Sequence, residues 1–327
     1  MRKPGYAVAG RSLLAGIALV LLAVILLSAQ DSGPNFSDWD QAVAVGPPIN
    51  DTLVDDGCPF ISKSGLDLYF RAWVSSAKKY DIFVSHRDTV EDPWETPINL
   101  GDNINTTAGE LCSFVTIDGH WIYFVSNRSG TLGGQDIWVS HRQDKRDDTG
   151  WETPINLGPN VNTGSNETGP SIFEDENTGE VVFYFTRGVG TPSRNKIFSC
   201  QLLDKVTPGP ATPVAELNST NAWNDMHSFI RRKDGLEIIF ASDRWGTVGL
   251  YDLYVSTRAS TMDPWSPPEK LGPEVNSDRS EARPSISWDG TTLYFWTDRN
   301  KNVYGSYQLD VYQSTRTKII GKDKQDK

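Results

Sequence analysis

The sequence is poor in cysteine, in positive charge and in familiar catalytic motifs. Its 327 residues include three cysteines, an odd number that cannot all pair within one chain, so disulfides are not its main source of stability. Its 31 Lys and Arg against 42 Asp and Glu give a net charge of -11, which argues against a nucleic-acid partner because such binding needs concentrated positive charge. It has no Gly-rich phosphate loop, serine nucleophile elbow or paired-histidine metalloprotease helix, so those reaction classes are unsupported.

One long apolar run stands near the N-terminus, over residues 13–27, and basic residues precede it. This order predicts an export signal over residues 1–29, either cleaved or retained as a membrane anchor through the apolar run. Residues 30–36 are predicted to form a linker and residues 321–327 a disordered tail. We therefore expect an exported protein, periplasmic or extracellular.

A unit of roughly 55 residues recurs through the rest of the chain, which is the period of a repeat architecture. Its clearest marker is a Trp followed by a Pro-rich segment, at Trp94, Trp151 and Trp265. Each unit also carries short apolar strands with alternating patterning and a Gly-containing turn. Five units, the third divergent, predict an all-β, five-bladed β-propeller over residues 37–320.

The two ends of the repeat array complement each other. The last unit stops after its third strand, and residues 39–50 resemble an isolated fourth strand. We expect this N-terminal strand to complete the last blade, which closes the ring and leaves only short sheet edges.

Two units share a longer motif. Ser126-Asn127-Arg128-Ser129-Gly130 precedes Gly133-Gly134-Gln135-Asp136-Ile137, and Ser242-Asp243-Arg244-Trp245-Gly246 precedes Gly249-Leu250-Tyr251-Asp252-Leu253. Through these residues the sequence resembles the WD40-like β-propeller repeats of TolB-type exported proteins. The resemblance implies a propeller that docks a protein, peptide or glycan, although fold analogy alone does not decide function.

The strongest candidate site is an acidic residue at the same place in every unit, just before the first strand. These residues are Asp56, Glu110, Glu167, Asp225 and Glu281. A ring of carboxylates at a channel mouth can bind a hard cation such as calcium, or supply a general acid and base. The structural alternative is that each acid hydrogen-bonds its adjoining loop, a duty repeated in every blade.

Two residues further along each strand, the units differ from one another. These positions hold Cys58, Cys112, Gly169, His227 and Arg283. The two cysteines are expected in adjacent blades, either as a disulfide or as buried thiols, and with His227 they form a candidate soft-metal set. His227 beside Asp225 is the best single candidate for proton transfer.

Other recurrent residues are predicted to be structural. A repeated polar network is expected from Asp81, Asp136, Asp252 and Asp310 with Arg87, Arg142, Arg258 and Arg316. The tryptophans that recur less strictly are candidates for ligand contact, namely Trp73, Trp121, Trp223, Trp245, Trp288 and Trp296.

Two functions are compatible with these patterns. The first is a non-catalytic binding module that takes a protein, peptide or glycan at the channel mouth, through Asp56, Glu110, Glu167, Asp225, His227, Glu281 and Arg283. The second is a five-bladed glycoside hydrolase, with Asp56, Glu167, Asp225, His227 and Glu281 as candidate catalytic groups. The sequence indicates no definite cofactor and leaves calcium at the acidic ring open.

Overall fold

The computed structural model describes Met1 and residues 35–50, 54–176, 178–191, 194–221, 223–301 and 304–319. This part of the chain contains 22 β-strands and no helix. Apart from Met1, the predicted export signal lies outside the described residues, as do the C-terminal tail and most of the linker. Within the described ranges, no helix has the length and apolar character needed to cross a membrane.

Five four-stranded antiparallel sheets form five blades. Their innermost strands are β3 (Asp56–Ile61), β7 (Glu110–Val115), β11 (Glu167–Glu174), β15 (Asp225–Ile230) and β19 (Glu281–Ile286). The second strands are β4 (Asp67–Val74), β8 (Trp121–Ser126), β12 (Val181–Val189), β16 (Glu237–Ser242) and β20 (Thr292–Lys301). The third strands are β5 (Lys79–His86), β9 (Asp136–His141), β13 (Arg194–Gln201), β17 (Asp252–Thr257) and β21 (Tyr307–Thr315). The outermost strands are β6 (Ile98–Asn99), β10 (Ile155–Asn156), β14 (Thr212–Pro213), β18 (Glu269–Lys270) and β2 (Val43–Ala44).

The blades close into a ring. Each innermost strand contacts the innermost strand of the next blade, and β19 of blade 5 contacts β3 of blade 1. The N-terminal strand β2 pairs with β21 and so supplies the fourth strand of blade 5. The predicted five-bladed propeller, closed by an N-terminal strand, is therefore confirmed.

The chain direction within a blade separates two ends of the central channel. The innermost strands all begin at one end, which we call the mouth, and the loops between second and third strands lie at the same end. The turns between first and second strands lie at the far end.

Below the mouth, the rings of Phe60, Phe114 and Phe229 meet at centroid distances of 4.8–6.0 Å, and the buried Arg232 guanidinium lies over them. Apolar packing therefore fills the channel beneath the mouth.

Repeated polar contacts join the blades. An asparagine before each innermost strand exchanges two hydrogen bonds with a third-strand backbone, as Asn105 does with Ile82 at 2.8 Å each. At the far end, Arg142 donates to the Gly119 carbonyl and stacks on Trp151. Equivalent Arg–Trp pairs form at Arg87 with Trp94, Arg258 with Trp265 and Arg316 with Trp39. These contacts give the recurrent arginines and tryptophans a packing role.

Candidate functional site

Each innermost strand contains a bulge two residues after it begins. The pairing with the second strand shifts register at this point in all five blades. The bulge residues all have left-handed backbone, with φ of 52° at Cys58, 33° at Cys112, 62° at Gly169, 55° at His227 and 56° at Arg283. Only glycine adopts this conformation without a steric cost, so four blades carry strain of about 1–2 kcal/mol each. Such strain is concentrated at functional sites.

The ring acids lie at the starts of these strands with buried side chains. Glu110 accepts hydrogen bonds from the Thr106 backbone and hydroxyl at 3.1 and 2.7 Å, and from Ser126 at 3.0 Å. Glu167 and Glu281 accept equivalent bonds from the residue four positions earlier. An arginine in or just after the second strand completes each set, as Arg128 does for Glu110. In these three blades the acid therefore holds the loop that leads into its own strand.

Asp225 has two cationic partners. Its carboxylate pairs with Arg244 and, at 2.9 Å, with the Lys196 ammonium. It also accepts bonds from the Ser219 backbone and hydroxyl at 2.7 Å, and from Ser242 at 2.7 Å. Lys196 is the residue at which blade 3 departs from the aspartate of the other blades, so this departure places a cation beside the acid of blade 4.

The ring acids differ in proton affinity. Burial acts to raise the pKa of Asp225, but the Arg244 charge and the hydrogen bonds from Lys196, Arg244 and Ser219 outweigh it and lower the pKa. Burial dominates at Glu167 and Glu281 and raises the pKa of both, against opposing hydrogen bonds. An acid with a lowered pKa therefore lies between two with raised pKa values, in blades 3 to 5.

The bulge residues, not the ring acids, line the channel. They surround a cavity of about 30 Å³ on the mouth side of the aromatic packing, the channel cavity, together with Pro59, Ser113, Pro170, Ser228, Phe229 and Pro284. Cys58 and Cys112 form a disulfide between blades 1 and 2, with Cα atoms 4.9 Å apart. Opposite it, a Cβ added to Gly169 would lie 3.4 Å from Arg283 Nη1 and 3.2 Å from His227 Cα. The Arg283 and His227 side chains therefore occupy the space that glycine leaves in blade 3.

Hydrogen-bond donors of the channel cavity lack partners. Among the described residues, His227 Nδ1, Arg283 Nη1 and the hydroxyls of Ser113 and Ser228 are buried without any. The Nε of Arg71, on strand β4 beside the bulge of blade 1, is also buried without a hydrogen-bond partner there. Burial first, then the Arg71 charge, lowers the pKa of Arg283 far below its usual value. Burial, followed by the charges of Arg283 and Arg71, likewise lowers the pKa of His227.

The candidate soft-metal ligands form no metal-binding group within the described residues. Cys58 and Cys112 are bonded to each other, which leaves no thiolate of this pair for the predicted soft-metal set with His227. Within the described ranges, no three His, Cys, Asp or Glu side chains are grouped so that they could hold a metal ion. No hydrogen bond joins His227 to Asp225 there, since the His227 backbone N–H donates to Thr186 and its Nδ1 has no partner.

The candidate tryptophans divide by position. Trp245 lies on the mouth-end loop of blade 4 and is 89% exposed, with the exposed Val248 and Leu250 on the same loop. Trp73 packs edge-on against Tyr80, and Trp288 lies at the far end under the Lys63 ammonium. Trp245 is thus the candidate most open to a ligand at the mouth.

Sequence reasoning missed Arg71 and the two serines of the channel cavity. Arg71 reaches this region through pairing of β4 with β3, which no local motif announces. The serines had a readable signal, because Ser113 and Ser228 follow the bulge residue where the other three blades have proline.

No protein family model matches this sequence, and no curated protein matches it. Solved structures do match. A thermostable family-43 glycoside hydrolase is 13% identical with a TM-score of 0.58, covering 85% of this chain and 93% of its own. An α-L-arabinofuranosidase from Podospora anserina in complex with cellotriose is 11% identical with a TM-score of 0.53, covering 88% and 99%. An endo-arabinase from Bacteroides thetaiotaomicron is 15% identical with a TM-score of 0.52, covering 88% and 99%.

At these identities the matches show a shared fold. They correct two expectations, because the matching structures named above are glycoside hydrolases. The resemblance to WD40-like repeats of TolB-type proteins is wrong, and so is the function derived from it, a non-catalytic module for a protein, peptide or glycan.

The motif that the units around Arg128 and Arg244 share, on which the resemblance rested, has a structural explanation. Arg128 and Arg244 hold ring acids, and Asp136 and Asp252 accept bonds from mouth-end loops.

Proposed function

We propose that this chain is a glycoside hydrolase whose glycan enters at the mouth of the channel. The observation that carries the proposal is the ring of equivalent buried acids at the starts of the innermost strands, at the mouth of the channel. Asp225 has a lowered pKa, which suits a base or nucleophile, and Glu167 and Glu281 on either side have raised pKa values, which suit a general acid. The glycosidases that share the fold support the assignment of substrate class.

The acids lie under the loops that lead into their strands, with side chains shielded from solvent. Reaction therefore requires these loops to part as a glycan binds, so that Ser277 releases Glu281 and Ser219 releases Asp225. The exposed Trp245 gives a sugar ring an apolar face to pack against beside the mouth. Asp225 and one flanking glutamate would then act on the glycosidic bond from two sides.

Sugar release by the full-length protein tests the proposal. Arabinans, xylans and xylo- and cello-oligosaccharides are the first substrates, because related structures are arabinanases, arabinofuranosidases and a xylosidase, some bound to such oligosaccharides. Asp225→Asn should lower kcat by about 10²–10⁴-fold. One of the two flanking variants, Glu167→Gln or Glu281→Gln, should lower kcat by a similar factor. Trp245→Ala should raise KM with kcat little changed.

The matched control is Asp144→Asn, which neutralises a carboxylate in a far-end loop of blade 2. It should retain the wild-type rate. Release of no sugar from any of these glycans, or full activity in all three ring-acid variants with thermal midpoints like wild type, would contradict the proposal.

A further inference from the structure

The channel cavity combines positive charge with unpartnered hydrogen-bond donors. Arg283 and His227 reach it from blades 5 and 4, and Ser113 and Ser228 line its wall. The named atoms of all four have no hydrogen-bond partner within the described structure. Buried donors are normally satisfied, because each one left unpaired costs free energy.

Among the described residues, no carboxylate lines the cavity to balance this charge. The carboxylates that act on the cluster are Asp55 and Asp56, which lie beside Arg71 rather than in the cavity. Asp55 is itself bound by the Tyr80 hydroxyl and the Leu309 backbone N–H. The arrangement is therefore suited to an anion that brings its own hydrogen-bond acceptors.

The backbone indicates that these side chains serve more than packing. His227 and Arg283 have left-handed φ values of 55° and 56°, and Gly169, at the same position of blade 3, has 62°. Glycine would avoid the strain in the other two blades as it does in blade 3. The channel instead holds the strained residues Arg283 and His227 over a glycine that makes room for them.

The size of the cavity selects among anions. Its volume of about 30 Å³ accommodates roughly two water-sized groups, at about 10–15 Å³ each. This matches the two oxygens of one carboxylate, whereas a phosphate or sulfate group carries more oxygens and a sugar ring is far larger. A sugar bearing the carboxylate would leave its ring at the mouth, on the side of Trp245.

We propose that the channel cavity binds the carboxylate of an acidic sugar residue, so that the glycan taken at the mouth contains a uronic acid. Arg283 and Arg71 supply charge, and Ser113, Ser228 and His227 supply directional hydrogen bonds. The identity of the ligand as a glycan rests on the function proposed above. The anion site rests on the cavity alone.

Calorimetric titration of the full-length protein with galacturonate tests the inference. Its methyl ester keeps the sugar but loses the charge, and acetate keeps the carboxylate but loses the sugar. Galacturonate should bind at least about tenfold more tightly than either, because hydrogen bonds to a charged group are the stronger class. Arg283→Met should weaken galacturonate binding by about tenfold or more. Arg146→Met, which removes an 86% exposed arginine from a far-end loop, should leave it unchanged.

Equal binding of galacturonate and its methyl ester, or binding of neither, would overturn the inference. If acetate binds as tightly as galacturonate, the inference that the ligand is an acidic sugar is overturned, and the cavity is a site for a free carboxylate. Galacturonate binding without cleavage of any glycan would overturn only the proposed hydrolase. Cleavage of neutral glycans by a protein that does not distinguish galacturonate from its ester would overturn only this inference.

Discussion

Arg283 of blade 5 crosses the channel to blade 3, where its Nη1 atom lies 3.4 Å from the position that a Cβ would take on Gly169. The absence of a side chain at one residue thus makes room for the charge of the other. The contact spans the channel cavity, so the two residues decide together what the cavity can hold. Changing Arg283 separates the binding role of the cavity from the stability of the propeller.

Removing the charge of Arg283 should stabilise the protein. Arg283→Met retains the apolar stem and eliminates a buried guanidinium that has no anionic partner in the cavity and lies near Arg71. The thermal midpoint should rise by about 2 °C or more, whereas Arg146→Met on the exposed surface should not change it. A midpoint that falls in Arg283→Met would mean that the arginine is a structural plug.

Adding one methyl group at Gly169 should cost stability and binding together. Gly169→Ala meets the left-handed φ penalty of about 1–2 kcal/mol and also crowds His227 and Arg283. Gly158→Ala is the matched control, because its φ of +73° gives the same penalty and nothing lies within 4 Å of the added carbon. Chemical unfolding should show a larger loss for Gly169→Ala, and only this variant should bind galacturonate more weakly. Equal losses in both would show that crowding is absent.

The ring acids should respond to pH in opposite directions. Asp225 has a lowered folded pKa, so its stabilisation is present above its unfolded pKa near 3.8 and is lost as pH falls through the folded value. Asp225→Asn should therefore cost about 3–5 kcal/mol at neutral pH, because Arg244 and Lys196 lose their anion, and less in acid. Glu281 has a raised folded pKa, so ionisation weakens the fold as pH rises through that value.

Glu281→Gln should consequently differ least from wild type at low pH, where both side chains are neutral, and should gain stability relative to wild type as pH rises. Thermal melts of both variants between pH 3 and pH 8 check the two slopes. Parallel curves for the two variants would show that these acids share one electrostatic environment.

The contact of His86 with two aspartates should make stability fall at alkaline pH. His86 bonds Asp148 at 2.8 Å and Asp67 at 2.9 Å, and these bonds raise its pKa to about 10. The stabilisation is complete below the unfolded pKa of 6.5 and is lost as pH rises through the folded pKa. Thermal midpoints from pH 6 to pH 10 should fall in wild type and change less in His86→Gln. Asp144→Asn, in the same far-end loop as Asp148, should follow wild type.

Reducing the disulfide should destabilise the ring. Cys58 and Cys112 are separated by 54 residues, for which chain entropy gives about 4 kcal/mol. Chemical unfolding with and without a phosphine reductant measures the difference. The Cys58→Ser, Cys112→Ser double variant should show no effect of reductant, because the one cysteine left, Cys200, is a free thiol. Cys200 is also buried, and burial raises its pKa to about 11, so it is a poor nucleophile for forming new disulfides. Identical unfolding of the wild type in both conditions would exclude this contribution.

The sequence predicted the propeller because the repeated units can be aligned with one another without a structure. Once Trp94, Trp151 and Trp265 were aligned, the blade count and the role of the N-terminal strand followed. The motif around Arg128 and Arg244 misled the functional interpretation, because it reports how a loop is held at the mouth rather than what the mouth binds.

The candidate site was predicted only in part. The spacing placed Cys58, Cys112, Gly169, His227 and Arg283 at one level, and the structure brings them around one cavity. The left-handed bulge at that level could not be read from sequence, because glycine marks it in blade 3 alone. Arg71 was missed because only pairing between strands brings it near His227.

The short strands β1 (Asn35–Phe36) and β22 (Lys318–Ile319) pair at the far end of the channel, where Asn35 lies opposite Ile319. Both ends of the described domain therefore leave it side by side, on the face opposite the mouth. A tag, fusion partner or solid support joined through either end is attached on the side of that face, so the mouth points away from the attachment. Immobilisation through the chain ends would thus present every copy in the orientation in which a polymeric glycan can reach the channel.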